Sequence, residues 1–183
     1  MKNCTYHNIK TGEILTEKQL LKKFNSNVER QKEAIEWLKE NTNTTDNDIL
    51  PIVSGLLSNG SLGRMLEDGK LLFTTLTPDS VIYHEAFHRI FNFFATQEER
   101  ISLLEDFEND PNSSKRLLEL QNLYNSAERV AKRGFVLSKE DLIEEALGEE
   151  FQEYKIHQDT QNKTKNNIFS KMLNFIKYLF FDE

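Results

Sequence analysis

Two histidines and a glutamate are the residues of this chain best suited to chemistry. His84-Glu85-Ala86-Phe87-His88 is an HExxH motif, and on an α-helix positions i and i+4 lie one above the other on the same face. His84 and His88 can therefore offer two imidazole nitrogens to one metal ion, beside a Glu85 carboxylate that can take a proton from metal-bound water. The motif predicts a zinc hydrolase; two surface histidines on a structural helix are the alternative.

The surrounding sequence predicts that this motif lies on a buried helix. Thr77 suits the N-cap and Pro78 the first helical position, and neither Gly nor Pro follows until Pro111. The apolar residues around the motif are Val81, Ile82, Ala86, Phe87, Ile90, Phe91, Phe93 and Phe94. Because buried histidines need polar partners, we expect a further ligand from elsewhere in the chain.

A second predicted helix supplies the candidates for a third ligand. Ser138 suits its N-cap, and residues 141–154 carry Glu144, Glu145 and Glu149. Glu145 and Glu149 are four residues apart beside the apolar face, whereas Glu144 lies about 100° round the helix. A catalytic zinc site usually takes three protein ligands and leaves the fourth position to water. The residues alone leave Glu144 and Glu145 as rivals, with an acidic solvated face as the other interpretation.

The two motifs together resemble those of the gluzincin metallopeptidases, the thermolysin and neprilysin type. Their signature is HExxH followed by Glu-x-x-x-Asp on a second helix, and this chain has Glu145-Ala-Leu-Gly-Glu149, with Glu149 in place of Asp. The resemblance implies a Zn²⁺ ion held by His84, His88 and Glu145. It also implies that Glu85 is the catalytic base and that Glu149 orients a ligating histidine through its other ring nitrogen.

The implied function is a zinc-dependent metallopeptidase that hydrolyses polypeptides by means of a metal-bound water activated by Glu85. Imidazole and carboxylate ligands also suit other first-row metals. Tyr83 and Tyr124 are the candidates for a residue that stabilises the oxyanion.

A closer resemblance is to an HExxH domain found within the large polyvalent proteins of bacteriophages. It rests on the run from Tyr83 to Phe91 and on the block from Glu144 to Phe151, and it extends over roughly residues 30 to 155. It implies a peptidase that processes virion or host proteins in the bacterial cytoplasm or the virion. A catalytically silent zinc-binding module, with a structural or interaction role in the phage, is the alternative.

Composition narrows the class of protein further. The net charge of −7 argues against a general nucleic-acid binder, so no nucleic-acid partner is expected. One cysteine permits no intramolecular disulfide, which suits a reducing cytoplasm. The first residues lack an apolar stretch and no segment offers about 18 uninterrupted apolar residues, so we expect neither secretion nor a transmembrane span. Abundant Lys with scarce Gly and Pro favours a largely helical protein, and the resemblance implies that this is a mainly helical α+β, zincin-like fold.

The sequence predicts three parts. Residues 1–157 form the zincin-like metallopeptidase domain, 158–167 a polar linker and 168–183 an apolar C-terminal helix. Packing onto the domain is the first interpretation of that helix. Binding to a phage or host protein and lying on a membrane surface are the alternatives.

A hairpin is predicted just before the motif helix. Two apolar-rich runs between Ser61 and Leu76 flank Asp68-Gly69, a favoured type I′ turn. In zincins the strand before the motif helix lines the cleft, and extended substrate pairs along it. The resemblance therefore implies that the edge strand 71–75 binds substrate; the alternative is an ordinary edge hairpin. The residues concerned are Leu71, Leu72, Phe73, Thr74 and Thr75.

The remaining pattern is helical. Residues 5–15 predict a short hairpin or an irregular lead-in, Thr16 and Thr96 begin capping boxes, and Gly134 suits a C-cap. The other predicted helices cover residues 16–24, 27–40, 48–57, 98–108 and 114–132, and the glutamate helix extends to about residue 157.

Overall fold

The computed structural model describes residues 5–7, 14–50 and 62–157, which form a mainly helical α+β fold. Strands β1 (Thr5–His7) and β2 (Ile14–Thr16) pair antiparallel, with Tyr6 opposite Leu15. Of the two expectations for this region, the structure has the hairpin.

One long helix, α1, spans Glu17–Asn41. Thr16 begins it with the predicted capping box, in which its hydroxyl and the Gln19 side chain each accept a hydrogen bond from the other residue's backbone N–H. The prediction of two helices separated near residue 25 was wrong. Asn25 and Ser26 are poor helix formers, but without Gly or Pro the break costs more than continuing the helix.

A second two-stranded sheet precedes the motif helix. Strands β3 (Gly63–Met65) and β4 (Leu71–Phe73) pair antiparallel, with Arg64 opposite Leu72, so the predicted hairpin is confirmed. Among the described residues, Asn43 is the only non-glycine residue with positive φ, so the expected type I′ turn at residues 68–69 was wrong.

The loop instead has three residues, 67–69, and ends in Gly69 at φ 79°. Leu66 accepts a hydrogen bond from Gly69 N (2.9 Å) and donates one to Lys70 O (2.8 Å), as in a type I turn closed by a left-handed glycine. This loop needs one positive φ rather than two, and glycine supplies it without strain.

Helix α2 spans Asp79–Phe93 and carries the HExxH motif. Its N-cap is Pro78 rather than the predicted Thr77, whose hydroxyl accepts from Thr74 N (2.8 Å) and donates to Leu62 O. The loop before the helix is held by buried Gln31 of α1, whose amide donates to the carbonyl oxygens of Thr74 and Thr77 at 2.8 and 3.2 Å. The polar groups of this turn are therefore satisfied within the protein.

A buried arginine joins α2 to the hairpin. The Arg89 guanidinium donates to Gly69 O in the hairpin loop and contacts Asp48 Oδ1 at 3.1 Å. Ile49 forms a parallel bridge with Leu71, so the chain around residue 49 extends alongside β4 rather than beginning the predicted helix 48–57. The rest of that predicted helix lies largely outside the described residues.

Four helices follow: α3 (Gln97–Glu108), α4 (Ser113–Tyr124), α5 (Ala127–Arg133) and α6 (Lys139–His157). The single helix predicted over 114–132 was wrong, because the chain breaks at Asn125. The Asn125 side chain bonds both Leu137 N (2.8 Å) and Leu137 O (3.0 Å), which compensates for the lost helical turn. The predicted Thr96 cap and the Gly134 C-cap, at φ 88°, are confirmed.

The core consists of two apolar clusters that meet at Trp37 and Tyr83. The larger joins α2, α3, α4 and α6, and its members are Phe87, Ile90, Phe91, Leu103, Phe107, Leu120, Leu142, Ile143, Ala146, Leu147 and Phe151. The smaller joins α1, β4 and α2, with Ala34, Leu38, Leu71, Phe73, Ile82 and Ala86. Helix α2 contributes to both, so its two sides are fixed against opposite parts of the molecule.

The predicted linker 158–167 and C-terminal helix 168–183 lie outside the described residues. Within the described ranges, no helix combines the length and apolar character that crossing a membrane requires.

Candidate functional site

The two motif histidines share one face of α2. His84 and His88 are one turn apart, and their Nε2 atoms lie 3.0 Å from each other. Ile82, Ala86 and Ile90 are buried in the core and fix the rotation of the helix. The two imidazoles therefore point toward α6, with side chains 14% and 12% exposed.

Helix α6 brings a carboxylate to the same point. Its first turn is stabilised by the predicted Ser138 cap, because Asp141 N donates to Ser138 Oγ and Ser138 N donates to the Asp141 carboxylate. Glu145 then lies with Oε2 at 3.4 Å from His84 Nε2 and Oε1 at 3.8 Å from His88 Nε2. His84, His88 and Glu145 form a group that can hold a metal ion.

The neighbouring glutamate occupies a different position around His88. Glu144 Oε1 lies 2.6 Å from His88 Nδ1, the ring nitrogen on the far side from Glu145. Asn92, one turn further along α2, donates to the same Glu144 oxygen at 2.6 Å and to His88 O at 3.0 Å. A proton held on Nδ1 leaves the Nε2 lone pair of His88 free for a metal ion. The two rival glutamates thus contact opposite nitrogens of the same ring.

These contacts shift the pKa values of His88 and Glu145. Burial acts to lower the pKa of His88, but its hydrogen bond to Glu144 and the negative charges of Glu145 and Glu144 raise that pKa above its ordinary value. Burial acts to raise the pKa of Glu145, yet its hydrogen bond to His84 and the charge of His88 hold that pKa below its ordinary value. Glu145 is therefore ionised, as a metal ligand must be.

Gly148 allows α6 to approach the His84 ring closely. A Cβ atom at this position would lie 3.0 Å from His84 Cε1, 3.1 Å from His84 Nδ1 and 3.4 Å from Phe87 Cδ1. Any larger residue would meet the imidazole itself. Glycine fits at this position of α6 because the His84 ring occupies the space that a side chain of residue 148 would fill.

Glu149 does not make the contact that the resemblance assigned to it. Its carboxylate accepts a hydrogen bond from Tyr124 OH at 3.0 Å and pairs with Arg116. The carboxylate that contacts the second nitrogen of a motif histidine is Glu144. The register of α6 explains the difference, since Glu149 faces α4 while Glu144 faces the end of α2.

Of the two tyrosine candidates, Tyr124 lies at the site and Tyr83 does not. Burial and the charges of Glu145 and Glu149 raise the pKa of Tyr124 above its ordinary value, which keeps the phenol protonated. Tyr83 instead packs edge-to-face on Trp37, with ring centroids 5.2 Å apart. It is partly buried and packs against both core clusters.

Residues 71–75 differ in part from the predicted edge strand, because β4 ends at Phe73 and its outer side is covered at Leu71. Leu71 donates its N–H to Asp48 O (2.7 Å) and accepts from Leu50 N (2.9 Å), so its outer backbone groups are already paired. Leu71, Phe73 and Thr74 are fully buried, Leu72 is half-buried and only Thr75 is exposed. The chain around residue 49 therefore covers the outer side of β4 at Leu71.

Strand β3 is the one that borders the site. Just outside the two strands, Thr74 N donates to Leu62 O (3.1 Å) and Leu66 N donates to Lys70 O (2.8 Å). The hydrogen-bonded positions of the ladder are therefore the even-numbered ones, which in β3 is Arg64 opposite Leu72. The alternation of an antiparallel ladder then turns the N–H and C=O groups of Gly63 and Met65 away from β4. Met65 N donates to Glu85 Oε2 at 2.8 Å.

A cavity of about 1720 Å³ connects these features. Its lining includes β3, the motif residues of α2, Tyr124 and Arg116 of α4, and residues of α5 and α6. It is large enough for several residues of an extended peptide. The sequence carried no signal for Met65, Asn92 and Arg116, because each acts through a contact between distant segments.

Comparison of the chain with known family models, with curated proteins and with solved structures finds no match.

Proposed function

We propose that this protein is a zinc metallopeptidase of zincin-like fold. The observation that carries the proposal is the spacing of the ligand atoms: the Nε2 atoms of His84 and His88 lie 3.0 Å apart, and the two Glu145 carboxylate oxygens lie 3.4 Å from His84 Nε2 and 3.8 Å from His88 Nε2. Ligands about 2.0–2.1 Å from a tetrahedral zinc ion lie about 3.3 Å from each other. The nitrogen and carboxylate donors are also those of catalytic zinc sites, where a fourth position stays open.

The chemistry divides between the metal and the chain. A bound zinc ion supplies Lewis acidity, lowering the pKa of a water ligand and polarising a carbonyl. As the oxygen of the attacking water bonds to the carbonyl carbon, Glu85 takes a proton from that water. Glu85 then delivers that proton to the amine nitrogen as the C–N bond breaks, so one peptide and one water give a carboxylic acid and an amine.

The position of β3 along the cavity supports an extended polypeptide as the substrate. Residues of β3 line the same cavity as His84, His88 and Glu145, and backbone pairing with a strand binds peptides with little demand on their sequence. The resemblance of residues 83–91 and 144–151 to phage domains further supports virion or host proteins as substrates and the bacterial cytoplasm or virion as the location.

A second candidate is a zinc-binding module without catalysis. It is favoured by one observation: Glu85 accepts a hydrogen bond from the Met65 backbone, so this carboxylate has a structural use apart from proton transfer. The two candidates predict different results for a Glu85→Gln variant, in which the amide still accepts a hydrogen bond but takes up no proton.

The first experiment measures zinc by elemental mass spectrometry and cleavage of a proteome-derived peptide mixture by mass spectrometry. We expect about one zinc per wild-type chain, lost in Glu145→Ala and retained in Glu85→Gln. Peptide cleavage should fall by about 10²–10⁴-fold in Glu85→Gln. Glu140→Gln, at an exposed position in the first turn of the same α6 helix, is the matched control and should keep both properties.

Two results would contradict the proposal. A wild-type protein that holds no metal after exposure to zinc would remove its basis. Zinc-loaded wild type that leaves the whole mixture uncleaved would favour the binding module.

A further inference from the structure

The backbone N–H of Met65 lies at an unusual junction in this molecule. It belongs to β3, the strand that borders the cavity, and it donates to one oxygen of the motif glutamate, Glu85. Because Met65 occupies a non-hydrogen-bonded position opposite Leu71, this N–H takes no part in the ladder with β4. The main chain there is therefore free to act on another group.

The position of this donor is well fixed. The Met65 side chain packs against the smaller core cluster, and Arg89 ties the hairpin loop to α2 on the other side. A glutamate carboxylate otherwise turns freely about its terminal torsion. A single backbone donor 2.8 Å away restricts that rotation and engages one of the two oxygens.

We propose that the Met65 backbone N–H is a positioning group for Glu85, holding one carboxylate oxygen so that the other meets the proton of the attacking water. This inference rests on the proposed peptidase function. The hydrogen bond connects Glu85, the general base, to β3, the strand proposed to bind the substrate. The backbone at Met65 would then set the distance between a bound peptide and Glu85.

The same contact limits how a peptide pairs with β3. The Met65 N–H already donates to Glu85, so it cannot also donate to a peptide that pairs along β3. Such a peptide would lack this one hydrogen bond at Met65, beside Glu85.

The test is Met65→Pro, which removes this N–H and leaves the ladder with β4 intact. Met65→Leu is the matched control, because it changes the side chain and keeps the N–H. With a quenched fluorescent peptide built on the most rapidly cleaved sequence of the peptide mixture, kcat should fall about ten-fold in Met65→Pro. KM and zinc content should match those of Met65→Leu, which would exclude a general structural loss.

A second measurement does not depend on activity or on the folding of the proline variant. In ¹⁵N-labelled zinc-loaded protein, the Met65 amide proton should move upfield when Glu85 is replaced by Ala. If Met65→Pro fails to fold, an ester in place of the peptide bond between residues 64 and 65 removes the same N–H.

The outcomes separate this inference from the proposed function. A Met65→Pro or ester protein with the kcat of Met65→Leu would overturn the positioning role alone, as would an amide proton that ignores Glu85→Ala. An uncleaving wild type would overturn the proposed function, and this inference with it.

Discussion

Gly148→Ala should weaken zinc binding while leaving the metal-free fold intact or more stable. The added methyl group would lie 3.0 Å from His84 Cε1, about 0.4 Å inside ordinary van der Waals contact. The imidazole is enclosed between α2 and α6, so it must shift by a similar distance. Metal–ligand distances tolerate only about 0.2 Å, and we expect zinc affinity to fall about ten-fold, or about 1.4 kcal/mol.

The effect on folding has the opposite sign. Alanine within a helix is favoured over glycine by about 1 kcal/mol, and this gain offsets the crowding in the metal-free state. The assay combines zinc competition against a fluorescent chelator with thermal unfolding of chelator-treated protein. Asn25→Ala, at an exposed position within α1, is the control for a gain in helix propensity. Unchanged zinc affinity in a normally folded Gly148→Ala protein would show that the His84 ring does not need the space left by Gly148.

Two further predictions concern titration. Zinc binding requires an unprotonated His88 Nε2, so zinc affinity should fall as the pH drops through the raised pKa of His88. Glu144→Gln removes a charge that raises this pKa, so the loss of affinity should move to lower pH. The same variant should weaken zinc binding about ten-fold at about pH 8. A chelator-competition series in which both proteins lose zinc at the same pH would contradict this assignment. Burial raises the pKa of Glu150 to about 7, so the folded state holds a proton that the unfolded state releases, and the free energy of unfolding should decrease between about pH 4.5 and 7. Glu150→Gln should remove that decrease. Because Glu150 is partly exposed, the variant should be only about 1 kcal/mol more stable than wild type at about pH 8, as measured by urea unfolding. The same pH dependence of the unfolding free energy in the two proteins would show that burial does not raise the pKa of this carboxyl.

The sequence was most informative where short-range spacing determines geometry. The i, i+4 spacing of His84 and His88 determines that they share a helix face, and Ser138 with Asp141 marks where the acidic helix begins. Local patterns also identified the hairpin and the capping boxes. Each of these depends on contacts within a few residues, which the chain specifies whatever its tertiary fold.

The sequence was least informative where two distant segments decide the outcome. Glu144 and Glu145 differ by about 100° on one helix, and only the packing of α6 on α2 determines which contacts Nδ1 of His88. Likewise, the hairpin pattern does not reveal which strand is covered, because that depends on the chain around residue 49 pairing with Leu71. Polar contacts between helices, such as that of Arg116 with Glu149, leave no periodic signal.

The apolar residues directly behind His84, His88 and Glu145 have a consequence for how the protein would acquire the proposed metal. Phe87, Ile143, Leu147 and Phe151 are buried together by contacts among apolar side chains. The ligands would therefore be held by packing before zinc arrives, unlike those of domains that fold only around the metal. Binding free energy then need not order the 56 residues between His88 and Glu145, and removal of zinc by a chelator should be reversible without refolding the chain.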